Sequence, residues 1–385
     1  MTKVIEWHNL AKTRRLRLIS LILKKKLTFQ IDRRYWVLPS RGNNGFWEDT
    51  VSLWSDDKLW VENFRMTRNT FIFICQELRL HLTKKDTRLR GSISVEKRVA
   101  ICLWHLATGE DLRSLGWRFG IAKSTACEII KEVCKAIVEV LLTRVIKWPS
   151  GNELKAVTNG FKTRWGFPQC AGAIDGTHIK ISAPPDCPND YYNRKGDYSI
   201  VLQAVVDHEY RFTDIYIKWP GKVHDARILS NSALYLNGKN GKLFPNWTEN
   251  ISGCDVPITL IGDPAYPLLP WLMRGYQDKG KLTPEQVAFN YGLSKARMVI
   301  EAAFGRLKGR FRCLFNRSDT SLKYLPTKIA SCCVLHNLCE VRGDTLEGED
   351  TNTTCSDDNL DVESQSTNTA AKEIRDALAT YFSAN

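Results

Sequence analysis

Three acidic side chains stand where acidic side chains are least expected. Asp175 follows the apolar run Gly172-Ala173-Ile174 and precedes Gly176, Asp263 closes Leu260-Ile261-Gly262, and Glu301 sits between Met298-Val299-Ile300 and Ala302-Ala303-Phe304. A carboxylate inside an apolar element is costly unless it is paired or bound to a cation. Clustered carboxylates on rigid elements suit a hard divalent ion such as Mg2+, which prefers oxygen ligands and keeps several of its waters. Two such ions about 4 Å apart activate a nucleophilic oxygen and stabilise the leaving one in phosphodiester cleavage. Each residue also has a plain structural reading: Asp175 caps the turn at Gly176, Asp263 opens a turn before Pro264, and Glu301 pairs with Arg297 four residues earlier.

The elements around these residues have mixed periodicity. Gly172 to Ile181 reads as a strand, and Ser199–Asp207 and Arg211–Lys218 are strand-like runs joined by His208, Glu209 and Tyr210, which predicts three consecutive antiparallel strands. A helix is predicted from near Asp225, an apolar strand over Ile258–Ile261 that stops at Asp263, and a strong helix from Ser294, as cap, to about Arg310. This order is that of a mixed α/β domain over residues 165–340 and is compatible with an RNase H-like core.

Upstream, over residues 57–150, the pattern is helical throughout. Asp57 to Leu82 shows helix-like spacing behind a Thr67 cap. Val95–Leu106, Leu112–Phe119 (ended by Gly120) and a longer segment opening with Thr125 and Glu128 at capping-box spacing follow. A short helix, a tight turn and a longer helix resemble a helix-turn-helix, with Lys123, Ser124 and Thr125 at the end that approaches DNA. A plain helical bundle fits the same pattern, and Glu128 and Glu132 on the third helix favour no basic stripe there.

Charge points to a polyanionic partner. The net charge is +13, yet residues 341–385 carry three basic and ten acidic groups, so the tail is −7 and the remainder +20. Residues 341–367 are acidic, rich in Ser, Thr and Asn, and predicted to be disordered, whereas 368–385 is a tail with a short helix predicted over Ala370–Phe382. The basic segment 1–56 contains one apolar run, Leu18–Leu23, flanked by Arg14, Arg15, Arg17 and by Lys24, Lys25, Lys26. That run is far short of the ~20 residues needed to cross a bilayer, so no membrane association is expected. The 12 Cys are scattered singly through apolar segments, as buried thiols in a reducing compartment are. Cys332, Cys333, His336 and Cys339 lie close together but within an apolar helical run that lacks a second Cys pair at zinc-finger spacing, and are read as structural.

Several ordered stretches taken together resemble the transposases of the PIF/Harbinger superfamily and the nucleases derived from them. They are GAIDGTHIKI from Gly172, YYNRKGDYSIVLQAVVD from Tyr191, PGKVHDARIL from Pro220, IGDPAYP from Ile261, FNYGLSKARMVIEAAFGRLKGRF from Phe289 and CCVLHNLC from Cys332, with FRMTRNTF from Phe64 and LATGEDLRSLGWRFGIAKSTACEII from Leu106 further upstream. The likeness covers roughly residues 35 to 340. It implies an RNase H-like DDE catalytic domain preceded by the all-α, helix-turn-helix-like unit. Asp175, Asp263 and Glu301 match the catalytic triad, and Asp225, in His224-Asp225-Ala226-Arg227, matches a fourth metal ligand. The implied cofactor is a divalent cation, Mg2+ or Mn2+. The implied activity is nicking of DNA at element ends and joining to target DNA; the competing readings are a domesticated nuclease that no longer transposes and a non-catalytic DNA- or chromatin-binding adaptor on the same fold. A Myb-like DNA-binding partner protein, a homodimer or higher oligomer, and action in the nucleus, with the cytoplasm also open, complete the implication. His178 and His224 adjoin carboxylates and either orient water, contact phosphate or support the ligands; Arg297 either neutralises Glu301 or touches DNA; Arg306, Lys308, Arg310 and Arg312 either track a phosphate backbone or are solvated helix charges.

Overall fold

A central mixed sheet carries the chain's chemistry-bearing strands, and helices cover both of its faces. The computed structural model describes residues 45–51, 54–86, 88, 91–278, 280–344 and 368–384. The predictions for the basic N-terminal run and for the acidic stretch after Asp344 lie outside the described residues.

Helices α1 (Asp57–Phe64), α2 (Arg68–Leu82), α3 (Val95–Thr108), α4 (Leu112–Arg118), α5 (Lys123–Val145) and α6 (Gly151–Trp165) precede the sheet. The run 57–82 is two helices: Arg65 adopts a left-handed conformation and ends α1, and the Thr67 hydroxyl accepts from Thr70 N to start α2. The third helix of the expected helix-turn-helix begins at Lys123, behind Ala122 with no side-chain cap, so Thr125 and Glu128 lie inside it and form no capping box. Helix α6, anticipated by no apolar periodicity, has Gly160 on its packed face, where a Cβ would lie 2.1 Å from the His208 ring.

Strands β1 (Cys170–Lys180), β2 (Ser199–Val206) and β3 (Phe212–Pro220) are antiparallel neighbours, with a short helix α7 (Pro188–Tyr191) between β1 and β2. Then come α8 (Asp225–Ser230), α9 (Ala233–Lys239), a separate hairpin of β4 (Thr248–Ile251) and β5 (Cys254–Pro257), and the strands β6 (Thr259–Gly262) and β7 (Leu272–Met273). Sheet order is β3-β2-β1-β6-β7, with β6 parallel to β1 and β7 parallel to β6. All eight residues of β2 are buried, as a strand covered on both faces requires.

The last helices are α10 (Pro284–Arg310), α11 (Leu325–Arg342) and α12 (Thr369–Ala384). Helix α10 starts well before Ser294, because Thr283 and Gln286 form a reciprocal capping box with Pro284 in the first turn. One apolar core joins the N-terminal helices to the sheet: Trp60, Phe64, Leu103, Ile137, Phe212, Ile300 and Leu335 all belong to it. A smaller core containing Leu154, Ile174, Leu229, Leu260 and Tyr266 lies on the opposite face. Consecutive residues Ala173 and Ile174 divide between the two, as strand alternation dictates. Among the described residues no helix is long and apolar enough to cross a membrane.

Candidate active site

The parallel register of β1 with β6 pairs Ile174 with Gly262, so the next residues, Asp175 and Asp263, emerge side by side. Asp175 Oδ1 accepts from Gly176 N at 2.7 Å, while Asp263 Oδ1 accepts from Ala265 N at 3.1 Å and its carbonyl from Tyr266 N at 3.2 Å. The turn after Asp263 is further held by Arg274, whose Nη1 donates to the carbonyls of Pro264 (2.9 Å) and Tyr266 (3.1 Å). Thus the turn reading of Asp263 holds, and the turn fixes the carboxylate beside Asp175.

Helix α10 brings the third acid. Arg297 and Glu301 are one helical turn apart, and Arg297 bridges them to the sheet, with Nη2 2.7 Å from Glu301 Oε1 and Nη1 3.2 Å from Asp175 Oδ2. These side chains are largely buried, at 13% exposure for Arg297, 17% for Asp175 and 19% for Glu301, so the pairs are little screened. Asp225 arrives from the first turn of α8 and lies against the backbone of Gly176, where a Cβ would sit 2.5 Å from Asp225 Oδ1. A glycine next to the catalytic-type aspartate is therefore a steric requirement of the fourth carboxylate.

Electrostatically the cluster is short of positive charge. Burial and the neighbouring Asp263 push Asp175 up to about 8, against the opposing pull of Arg297. Burial and Asp263 push Asp225 up to about 7, and burial raises Asp263 as well. Tyr266, fully buried behind the acids with its hydroxyl 3.3 Å from Gln203 Oε1, is held protonated by burial and by the same three aspartates. Among the described residues no three acidic, His or Cys side chains converge as a ready-made metal cage, and Arg297 is the cation that sits between Asp175 and Glu301. The donor set nonetheless fits a hard divalent ion: all four groups offer oxygen, and a dication would supply charge that Arg297, with Arg194 acting on Asp225 and Arg274 on Asp263, leaves uncompensated.

Comparison with known proteins gives these residues a lineage. A family model described as DDE superfamily endonuclease matches residues 174–337, and a domain of unknown function matches residues 52–139. The Arabidopsis thaliana protein named Antagonist of Like Heterochromatin Protein 1 is 32% identical over 76% of this chain and 75% of its own length. The chain belongs to the harbinger transposase-derived DDE endonuclease family. An ALP1-like protein of Arabidopsis thaliana is also 32% identical, over 77% of this chain and 74% of its own. The human protein HARBI1, which carries the word nuclease in its name, is 28% identical over 73% and 77%. No solved structure matches the chain.

Within this harbinger-type frame, the remaining residues singled out by sequence separate cleanly. Arg297 takes its sequence-predicted role toward Glu301 and adds Asp175, 122 positions away, which no local pattern reveals. His178 donates or accepts at Ser199 Oγ (2.9 Å), and His224 meets Arg194 at 2.7 Å. Of the four cations after Glu301 only Arg312 is exposed; the other three are engaged within the fold. Arg306 and Arg310 turn inward to Glu340, Arg310 being 1% exposed, and Lys308 Nζ donates to Thr177 Oγ1 (2.7 Å) and the His178 carbonyl (3.1 Å). Their charge was legible, but their partners lie too far along the chain to be read locally. Tyr266 and Gly176 went unsingled, although the sequence Asp263-Pro264-Ala265-Tyr266 and the glycine after Asp175 were the available signals.

Proposed function

We propose that this protein is a divalent-metal-dependent DNA endonuclease, built on an RNase H-like core, that cuts phosphodiester bonds with Asp175, Asp263 and Glu301 as its catalytic acids. The observation that carries the reading is the placement of Asp175 and Asp263 at adjacent strand positions, with Glu301 of α10 tied to Asp175 through Arg297 and Asp225 against Gly176, in a surplus of negative charge. The strand order, with three antiparallel strands followed by two parallel to β1, supports the RNase H-like assignment. Asp175, Asp225, Asp263 and Glu301 would hold Mg2+ or Mn2+, which when bound activates water and stabilises the leaving oxygen. The chain's own contribution is positional: the Asp263 turn and the Gly176 contact set the carboxylates before substrate arrives, and Arg297 holds Glu301 to the sheet.

The named relatives and the +13 charge support DNA as substrate and the nucleus as the place of action. Helices α3 to α5 are proposed as a helix-turn-helix-like DNA contact. A Myb-like partner and a dimer acting on two DNA ends complete the scheme in which cut ends are joined to target DNA. A second reading, a non-catalytic chromatin adaptor on the same fold, draws on the Arabidopsis relative whose name concerns a heterochromatin protein. Supercoiled plasmid incubated with protein and Mg2+, Mn2+ or EDTA separates the two. Metal-dependent nicking that disappears in Asp175→Asn and Glu301→Gln establishes the nuclease; folded protein that binds DNA and never nicks it establishes the adaptor.

A further inference from the structure

Beside the Asp263 turn the surface forms a small cavity of about 260 Å3. Its wall carries three cations, Arg274, Lys281 and Arg375, together with Tyr276, Gln277 and Gln286, and among the described residues no carboxylate lines it. Two of the cations are incompletely used. The Nε atoms of both Arg274 and Arg375 are buried without a hydrogen-bond partner, although a buried N–H of this kind is normally satisfied. Arg274 feels burial and the repulsion of Arg375, and both lower its proton affinity. Arg375 lies 3.8 Å from the centre of the Tyr276 ring, and Tyr276 is pinned to α10 by Asn290, whose side chain accepts from Tyr276 N (2.7 Å) and donates to its carbonyl (2.9 Å). The cations are thus held on a fixed frame in spite of their repulsion.

We propose that this cavity is a binding site for one phosphate of the DNA backbone, contacted by Arg274, Lys281 and Arg375. Planar guanidinium groups with free N–H donors match a phosphate oxyanion, and the ligand supplies the charge that the pocket lacks. The volume falls below the roughly 300–1,000 Å3 of pockets that enclose a whole organic ligand, as a site for one group of a longer polymer would. Arg274 joins the pocket directly to the active site, because the same guanidinium clamps the carbonyls of Pro264 and Tyr266 that shape the Asp263 turn. A phosphate seated here lies on a strand that runs past the carboxylates and fixes its register. The choice of DNA as the source of the phosphate rests on the nuclease reading; the oxyanion chemistry of the pocket does not.

The test is fluorescence anisotropy of a labelled DNA duplex with the full chain in EDTA, where no cutting intervenes. Lys281→Glu changes an exposed side chain, and Arg375→Gln changes a half-buried one whose folding is checked by thermal melting; Lys242→Glu, exposed and outside the cavity, is the control. The expected result is a loss of about tenfold in affinity for each pocket variant, with the salt dependence of log K reduced by about one phosphate contact, and no change for the control. If Arg375→Gln melts early, Lys281→Glu alone carries the result. A parallel arm adds inorganic phosphate: protection of the wild type against melting, together with unchanged DNA affinity in both pocket variants, overturns the DNA assignment in favour of a free oxyanion, and unchanged affinity without protection overturns the site altogether. Nicking is scored separately. Pocket-dependent DNA binding without nicking sinks the nuclease reading and leaves the pocket standing, whereas nicking with pocket-independent binding does the reverse.

Discussion

Helix α10 carries two arginine–glutamate arrangements along its length, and they are built on opposite principles. At its far end Glu340, 11% exposed, accepts from Arg306 Nη1 (2.9 Å) and Arg310 Nη2 (3.0 Å), while Arg310 Nη1 also reaches the carbonyls of Arg65 and Asp344 (2.9 Å each). Arg306 stacks 4.0 Å from the Tyr210 ring, and His336 Nε2 donates to the Tyr210 carbonyl at 2.9 Å. Every charge there has an opposite charge, a carbonyl or a ring to face. Midway along the helix Arg297 faces Asp175 and Glu301, with Asp225 and Asp263 crowding the same space. The first arrangement ties α10, α11 and the N-terminal helices together; the second leaves a deficit of positive charge that an ion can fill. Incomplete compensation, rather than burial of charge as such, is what sets the candidate site apart.

The largest effects should split along that line. Asp175→Asn and Glu301→Gln are expected to lower metal-dependent nicking by on the order of a thousandfold or more, since each removes a group the chemistry requires. In EDTA, however, Asp175→Asn should leave thermal stability unchanged or raise it, because it removes a buried carboxyl whose ionisation burial and Asp263 oppose. Glu340→Gln is expected to behave in the opposite way, losing about 3–5 kcal/mol of stability in chemical denaturation by removing the carboxylate charge that two largely buried guanidinium groups share. Equal destabilisation by Asp175→Asn and Glu340→Gln would erase the distinction between the two regions.

Stability against pH sharpens the same contrast, because the two regions titrate in opposite directions. Asp175 and Asp225 are raised to about 8 and about 7 in the metal-free chain, above the roughly 3.9 of an unfolded aspartate. The folded chain then binds protons more tightly than the unfolded one, so the stability they contribute is complete below about pH 4 and is lost as pH rises through about 7 to 8. His336 is lowered to about 3 by burial and by Arg310, so its contribution is present above about pH 6.5 and is lost as pH falls toward 3. Melting curves in EDTA should therefore show the advantage of Asp175→Asn over wild type growing by several degrees from pH 5 to pH 8. An advantage that stays constant across this range would mean that the aspartate is not protonated in the folded chain. Added Mg2+ should protect the wild type increasingly as pH rises, because the ligands must release their protons.

The acids of the candidate site were legible in the sequence as anomalies, and the reason is local. Asp175, Asp263 and Glu301 each break an apolar run, and the three antiparallel strands announce themselves by length and by β-branched composition. The structural end was not legible, because Arg306 and Arg310 meet Glu340 at separations of 34 and 30 residues and read locally as a basic surface stripe. The start of α10 was hidden for a different reason. Ser294 offers a credible cap inside the helix, while the true box at Thr283 and Gln286 stands before a turn with exposed Val287. The β4–β5 hairpin escaped notice because, of its four residues per strand, only Ile251 and Val256 are buried.

The smallest effect tests the steric half of the site. A methyl group at position 176 would sit 2.5 Å from Asp225 Oδ1 and 3.3 Å from its Cγ, and 3.5 Å from Val201 Cγ1. The last contact is ordinary, so the strand can accept alanine, but the carboxylate of Asp225 must move. Gly176→Ala is therefore expected to weaken Mg2+ or Mn2+ binding, followed by calorimetry, and to slow nicking by about tenfold, while melting in EDTA stays close to wild type because relief of crowding among the aspartates offsets the new contact. Unchanged metal affinity in a folded Gly176→Ala protein would remove Asp225 from the ligand set and leave Asp175, Asp263 and Glu301 to hold the ion alone.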